Sequence, residues 1–243
     1  MAASTSESRN QSRVAGLVLA AGGGRRYGSP KALVRGEDGV LWLRRAVQTL
    51  AESGCSPILV VLGAAAEAAE TLLTETLLDT FLGGPLDTPL DTAAVPVVIV
   101  RAPDWAAGLS ASLRAGLDAA KRLVPLPSAI AVVPVDVPDL NCATVARVLG
   151  ADDVERSLIT PDSLRQAGFE GRPGHPVLIG RAHWAALTAE LHGDHGARSY
   201  VSAHGGQLVE CADLSTGIDR DTPPPLTLPA NHRKARSPCF PAG

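Results

Sequence analysis

The sequence predicts a single α/β domain, a doubly wound and mostly parallel sheet with helices on both faces. Three observations lead there. Continuous apolar runs recur at 14–21, 57–63, 95–100 and 129–136, the first two as strands buried in the sheet and the others as further strands. Helical apolar spacing fills the intervals between them, the alternation of βαβ units. Of the 243 residues 45% are hydrophobic but only 3% aromatic, a small-aliphatic balance that suits helices on a sheet better than an aromatic-rich sandwich.

Each element has its own local reason. Residues 1–13 are polar, lack the apolar core of a signal peptide, and read as a disordered leader. VAGLVLAA (14–21) is the first strand. In GVLWLRRAVQTLAESG (39–54), Val40, Leu43, Val47 and Leu50 fall at helical spacing and Gly54 offers a C-cap. PILVVLG (57–63) is the second strand and AAAEAAETLLTETLL (64–78) the second helix. The repeated PLDT of GGPLDTPLDT (83–92) marks a surface insertion at about 75–94. VPVVIV (95–100) is the third strand, and LSASLRAGLDAAKRL (109–123) a helix with Leu109, Leu113, Leu117 and Ala120 on one face. AIAVVPVD (129–136) is a fourth strand that ends on a carboxylate. NCATVARVLG (141–150) follows, then a less regular stretch up to GHPVLIG (174–180), RAHWAALTAEL (181–191) and GQLVEC (206–211). The domain closes near 226, and the proline-rich 227–243, with Arg233, Lys234 and Arg236, reads as a disordered tail.

Charge and cysteine usage narrow the function. A net charge of −3 argues against broad nucleic-acid binding, so any affinity for anions has to be local. Cys55, Cys142, Cys211 and Cys239 are far apart and form no CxxC pair, the usage of reduced thiols in a cytoplasmic protein. No apolar run approaches the ~20 residues of a membrane helix, so neither membrane nor nucleic acid is expected as a partner.

LAAGGGRRYGSPK (19–31) is the segment that demands chemistry, with four glycines and three cations directly after a strand. A P-loop fails because Ser29 stands where lysine is required, and a GxGxxG fingerprint fails at Tyr27 or Arg25. An ordinary tight turn accounts for the glycines but leaves Arg25, Arg26 and Lys31 to repel one another. Backbone amides of a glycine-rich turn make a nest for anions, and phosphate would screen the cations. In open parallel sheets ligands sit at the carboxyl ends of strands. This loop and the PVD of 134–136 leave two different strands there, positioned to face one cleft.

The loop resembles the LAxGxSxRMGxxK signature of the MobA-like nucleotidyltransferases, with Leu19, Ala20, Gly22, Arg26, Gly28 and Lys31 in register. Gly24 replaces the usual serine and Tyr27 the usual methionine. PDWAAGLSASLRAGL (103–117) is similar to the segment that holds base and ribose, and VPVDVP (133–138) to the family's PVDxP. GRPGHPVL (171–178), GDHGAR (193–198) and DRDTPPPL (219–226) resemble motifs of the molybdenum cofactor cytidylyltransferase branch, with Arg220 and Pro225 departing from the last. The resemblance spans residues 14–226 and implies a Rossmann-like nucleotidyltransferase fold.

The resemblance also implies a reaction: CMP passes from CTP to the phosphate of the molybdenum–pterin cofactor, Mg²⁺ assists, and pyrophosphate leaves. Two polyanions have to meet, so positioning and charge neutralisation are the protein's task. Arg26, Lys31 and Asp136 are the catalytic candidates. Leu19, Ala20, Ala21, Gly22, Gly23, Gly24, Ser110 and Ser112 are the nucleotide-binding candidates. His175, Asp194 and Arg198 are candidates for the acceptor. Asp136 at the tip of its strand suits a metal, although a turn or cap aspartate is the competing reading. Asp221 is the second metal carboxylate by resemblance alone, with Asp219 as the fallback. Ser110 and Ser112 also suit a helix cap, and His175 a turn. Ala21 goes with cytidine users by family pattern. Alternatives are a guanylyltransferase, a nucleotidyltransferase for another phosphorylated acceptor, and a non-catalytic carrier that delivers the cofactor to a molybdenum hydroxylase or its maturation factor.

Overall fold

Residues 13–82, 95–151 and 158–222 are described in the computed structural model, which puts seven strands in one sheet. In chain order they are β1 (Val14–Ala20), β2 (Ile58–Leu62), β3 (Val97–Arg101), β4 (Ala129–Pro134), β5 (Leu164–Phe169), β6 (Arg172–Gly180) and β7 (Gln207–Glu210). Their order in space is β3-β2-β1-β4-β6-β5-β7, and β6 alone among them runs antiparallel to its neighbours. The helices are α1 (Trp42–Glu52), α2 (Ala66–Leu82), α3 (Leu109–Ala120), α4 (Cys142–Leu149), α5 (Trp184–Glu190) and α6 (Arg198–Ala203). The chain order reverses beside β1, which pairs with β2 on one side and β4 on the other, and a crevice opens at the carboxyl ends of such a pair.

β1 explains the layering. All seven of its residues are buried, and they alternate between two cores. Val14, Val18 and Ala20 join the core under α1, α2 and α4. Ala15, Leu17 and Leu19 join the core under α3, α5 and α6. A strand with apolar residues at every position has no solvent face, and helices cover it on both sides. Gly16 lets α1 come close, since a Cβ there would stand 2.6 Å from Ile58 Cδ1 and 3.0 Å from Leu50 Cδ1.

The doubly wound α/β architecture is therefore present, with several local corrections. α1 starts at Trp42, because Arg35 and Leu41 bridge in β fashion around a turn that holds Gly39 at φ 76°. α2 continues to Leu82, so residues 75–82 of the expected insertion are helical and only 83–94 lie outside the described residues. The expected leader falls outside them up to residue 12, and so does the expected tail.

β5 and α6 were not anticipated, and β6 joins the sheet in the opposite sense. The cause is a two-residue turn, Glu170-Gly171, with φ values of 54° and 76°. Positive φ at both central positions makes a hairpin turn that suits the strand twist, and Phe169 pairs with Arg172 across it.

Candidate active site

The site is assembled at the carboxyl ends of β1 and β4. Beyond β1 the chain enters the glycine-rich loop, and the loop closes on itself: the Gly28 N–H donates to the Gly24 carbonyl at 2.8 Å. Gly24 has φ 62°, and a Cβ on it would lie 1.8 Å from the Ser29 carbonyl oxygen. No side chain fits there, so the departure from the family's serine is built into the loop's shape. Pro30 then begins a short 3₁₀ turn, Lys31–Leu33, that brings Lys31 back to the strand ends. Tyr27 meets Trp42 edge-on at 5.5 Å between ring centroids, so its departure from methionine serves packing.

Lys31 Nζ lies 2.5 Å from Asp136 Oδ2 and donates at 2.8 Å to Asp221 Oδ1. Arg26 Nη1 stands 3.1 Å from Asp221 Oδ2. The cluster joins residues 105 and 190 positions apart in the chain. The Arg220 N–H donates to the Asp136 backbone carbonyl at 2.8 Å, which pins the 219–221 segment beside the end of β4. Burial works against the Lys31 ammonium, but the hydrogen bonds to Asp136 and Asp221 and their charges outweigh it and raise its pKa. The Lys31 hydrogen bond holds the Asp221 carboxyl below the usual range against some desolvation, with the Lys31 and Arg26 charges adding to it.

These residues stand in a cleft of about 440 Å³. Leu19, Ala20, Ala21, Gly22, Gly23 and Gly24 line it with Ser112, so most of the expected nucleotide set is together. Trp105 lines the same wall. Its indole lies against two glycines, since a Cβ would be 2.5 Å from its Cβ and Cγ at Gly63 and 3.2 Å from its ring at Gly23. Trp105 lies in the 103–117 segment matched to base and ribose but was not singled out as a site residue, although a tryptophan just past a strand in an aromatic-poor chain was a usable signal. The cleft is apolar at Trp105, Ala106, Ala107 and Leu109 and ionic at Arg26, Lys31, Asp136 and Asp221.

Two expected residues sit elsewhere. Ser110 is buried and is not among the residues lining the cleft; its backbone N–H donates to the Gly193 carbonyl at 3.1 Å. Asp194, expected with the acceptor group, lines this first cleft instead, because the 193–194 turn packs on Gly108, where a Cβ would be 2.6 Å from Asp194 Oδ1.

A second cleft of about 390 Å³ shares Leu19 and Leu109 with the first. His175 and Arg198, both expected at the acceptor, line it with Gln166, Phe169, Ile218 and Asp219. Asp219 and Asp221, two residues apart on an irregular segment, thus serve different clefts. Asp219 keeps part of its surface in solvent, yet the protein around its carboxyl, and then the Asp136 and Asp221 charges, push it up to about 6 against the pull of Lys31 and Arg198. Burial pushes the His175 imidazole down, opposed by the Asp136 charge and a hydrogen bond with the Val132 backbone. Its Nδ1 is buried without a hydrogen-bond partner.

A parallel sheet whose first strand exits into a cationic glycine loop, facing a carboxylate from the strand beside it, has the architecture of a nucleotide-binding α/β enzyme of the nucleotidyltransferase kind. Residues 16–208 match the MobA-like NTP transferase domain, and the chain belongs to that family. It is 33% identical over 212 residues to nicotine blue oxidoreductase from Paenarthrobacter nicotinovorans, covering 86% of this chain and 92% of that one. Among solved structures, a nucleotidyl transferase from Methanothermobacter shares the fold with a TM-score of 0.63 at 19% identity, covering 86% of this chain and 92% of that one. Rv0371c from Mycobacterium tuberculosis, in complex with manganese, gives a TM-score of 0.53 at 25% identity over 87% of this chain and 91% of its own.

Proposed function

We propose that the protein transfers CMP from CTP to the phosphate of the molybdenum–pterin cofactor and releases pyrophosphate. The observation that carries this reading is the meeting of Arg26, Lys31, Asp136 and Asp221 beside the glycine loop. An acceptor phosphate is already an anionic nucleophile near neutral pH, so no general base is needed. One of its oxygens bonds to the α-phosphorus while the bond from that phosphorus to the bridging oxygen breaks, and pyrophosphate takes the electron pair. Repulsion between two such anions costs roughly 4 kcal/mol per pair of unit charges at ~4 Å and an effective dielectric of 20. Fixed positive charge offsets this without reorganisation.

The residues divide that work. Backbone N–H groups of Gly22, Gly23 and Gly24 would receive the β- and γ-phosphates. Arg26, 77% exposed at the cleft rim, has a forked donor set for the departing pyrophosphate, and Lys31 is a compact charge for the α-phosphate. The base would lie at the apolar end by Leu19, Ala20, Ala21 and Trp105, where the Ala21 methyl narrows the space and favours cytidine. Ser112 would contact the nucleoside, and Ser110 positions the turn that carries Asp194. His175 and Arg198 would hold the acceptor in the second cleft.

The donor set fits a divalent cation. Asp136 Oδ1 is buried with no hydrogen-bond partner, and Asp221 stands beside it. Mg²⁺ takes one or two carboxylates and completes its shell with phosphate and water oxygens. Asp136 and Asp221 would hold it, and when bound it would neutralise triphosphate charge. The manganese complex of Rv0371c supports the divalent part of this reading.

A pyrophosphate-release assay with the molybdenum–pterin acceptor tests the proposal across CTP, GTP, ATP and UTP. Release from CTP alone is expected. Release from GTP in its place makes the protein a guanylyltransferase, and release only with a sugar or lactate-type phosphate changes the acceptor. No helix among the described residues is long and apolar enough to cross a membrane. On the proposed reading the protein works in the cytoplasm and delivers its product to a molybdenum hydroxylase or its maturation factor. If Asp136→Asn leaves that delivery intact, the carrier reading replaces catalysis.

The name of the 33% identical relative favours a second reading, an oxidoreductase on a planar heterocycle. Cys55, Cys142 and Cys211 line neither cleft, so on this reading a bound reductant such as a reduced nicotinamide dinucleotide would supply the electrons. Bleaching of nicotine blue with a reduced nicotinamide dinucleotide, without pyrophosphate release from any triphosphate, would establish it.

A further inference from the structure

Two carboxylates offer four oxygens, and the ion cluster engages three of them. Lys31 Nζ takes Asp136 Oδ2 and Asp221 Oδ1, and Arg26 Nη1 takes Asp221 Oδ2. Asp136 Oδ1 is buried and has no partner. A divalent cation held by both carboxylates needs an oxygen from each, and at Asp221 it has to share or displace the contacts that Lys31 and Arg26 already make. Lys31 is the one in the way. Its side chain is 14% exposed and its nitrogen lies between the two acids, where its charge opposes any cation drawn to the same oxygens. Arg26 touches one oxygen only, from a side chain 77% exposed at the rim.

We propose that Lys31 is the internal counter-ion of this site, holding Asp136 and Asp221 until a divalent cation and a triphosphate displace it together, whereupon its ammonium moves to the phosphate. The inference rests on the reading that Asp136 and Asp221 hold the cation. Lysine suits the exchange, being a point charge on a flexible four-carbon stem that pairs with successive anions without a fixed fork geometry. Its backbone is fixed by the 3₁₀ turn, where the Leu33 N–H donates to the Pro30 carbonyl at 2.9 Å, so the movement is confined to the side chain. A cation arriving alone displaces Lys31 with nothing to receive it, whereas a triphosphate supplies the receiving anion. Metal and nucleotide therefore bind with positive coupling, and each raises the other's affinity by the same factor.

Mn²⁺ without nucleotide is the probe, with the free ion counted by electron paramagnetic resonance. Lys31→Met removes the charge and keeps the stem. This variant is expected to bind Mn²⁺ about tenfold more tightly than the natural protein, because the ion no longer competes with a resident charge. Mn²⁺ should also raise its melting temperature by more than it raises the natural protein's. Equal or weaker Mn²⁺ binding by Lys31→Met overturns the proposal. Should the loss of the lysine charge between the two carboxylates prevent that variant from folding, Lys31→Gln carries the same measurement: tighter binding supports the exchange, and equal or weaker binding overturns it. Adding Asp136→Asn separates the inference from its foundation. If the double variant still binds Mn²⁺ as Lys31→Met does, the cation is not held at Asp136 and the metal assignment falls. If Asp136→Asn abolishes binding while Lys31→Met gains nothing, the exchange alone falls.

Discussion

His175 shows how one residue of the second cleft is tuned by what surrounds it. Its Nδ1 is sealed from solvent, and burial keeps the imidazole from protonating as readily as it would at its ordinary value of 6.5. In the unfolded chain it protonates as the pH falls through 6.5, while in the folded protein it resists. Stability from this residue is therefore complete above 6.5 and is lost progressively as the pH drops toward the depressed folded value. Asp219 works the other way. Its carboxyl, pushed up to about 6 from 3.8, binds a proton more readily when folded and lowers stability as the pH rises through that window. The two slopes oppose each other, so the signature of His175 is a difference. Urea unfolding at pH values on both sides of 6.5 should show the natural protein losing ground to His175→Asn as the pH falls. A stability gap that stays constant would mean the imidazole titrates normally.

At the scale of the element, the loop between β1 and Lys31 is the most constrained piece of the site. Gly24 has φ 62° and a carbonyl where a Cβ would be, so restoring the family's serine is predicted to harm this chain. The left-handed conformation alone costs roughly 1–2 kcal/mol for a residue with a side chain. An added Cβ would stand 1.8 Å from the Ser29 carbonyl oxygen, a backbone atom, so serine is expected to open the loop rather than merely strain it. Gly24→Ser should raise the KM for CTP by about tenfold or more while leaving the melting temperature within a few degrees, because surface-loop strain is local. Steady-state kinetics beside a thermal melt decide it; an unchanged KM would show that the loop has a second conformation open to serine. In β6 the backbone acts differently, because there the Glu170-Gly171 turn fixes strand direction and the element, in turn, delivers His175 to the second cleft.

At the scale of the whole molecule, the site is a joint between distant parts of the chain. Lys31 reaches residues 105 and 190 positions away, so a ligand that bridges them ties the first strand, the fourth strand and the closing segment together. A ligand at a hundred times its dissociation constant stabilises the native state by about 2.7 kcal/mol. In a protein of this length that corresponds to a rise in melting temperature of roughly 5–10 °C. CTP with Mg²⁺ should produce this rise, and Asp136→Asn should abolish it. A shift that survives Asp136→Asn would place the triphosphate away from the end of β4.

Much of this arrangement follows from local chemistry. Apolar runs at 14–21, 57–63 and 129–136, short and bounded by turn residues, favour strands covered on both faces, and the spacing in 109–123 favours a helix with one buried face. Glycines and cations after the first strand likewise announce an anion site from the properties of a short segment. What no short segment carries is the identity of a partner far along the chain. β5 was hidden because Arg165 and Gln166 look polar. They are buried because the Arg165 guanidinium finds the Val148 and Leu158 carbonyls and the Gln166 amide finds Gly174. The placement of Asp194 in the first cleft, the split of Asp219 and Asp221 between two clefts, and the three oxygens engaged by Lys31 and Arg26 are of the same kind. Periodicity is a property of neighbours in the chain, so the sequence alone determined the layers and the loop. Charge pairing and burial depend on distances through space, so only the tertiary structure decided which cation faces which acid, and in which cleft.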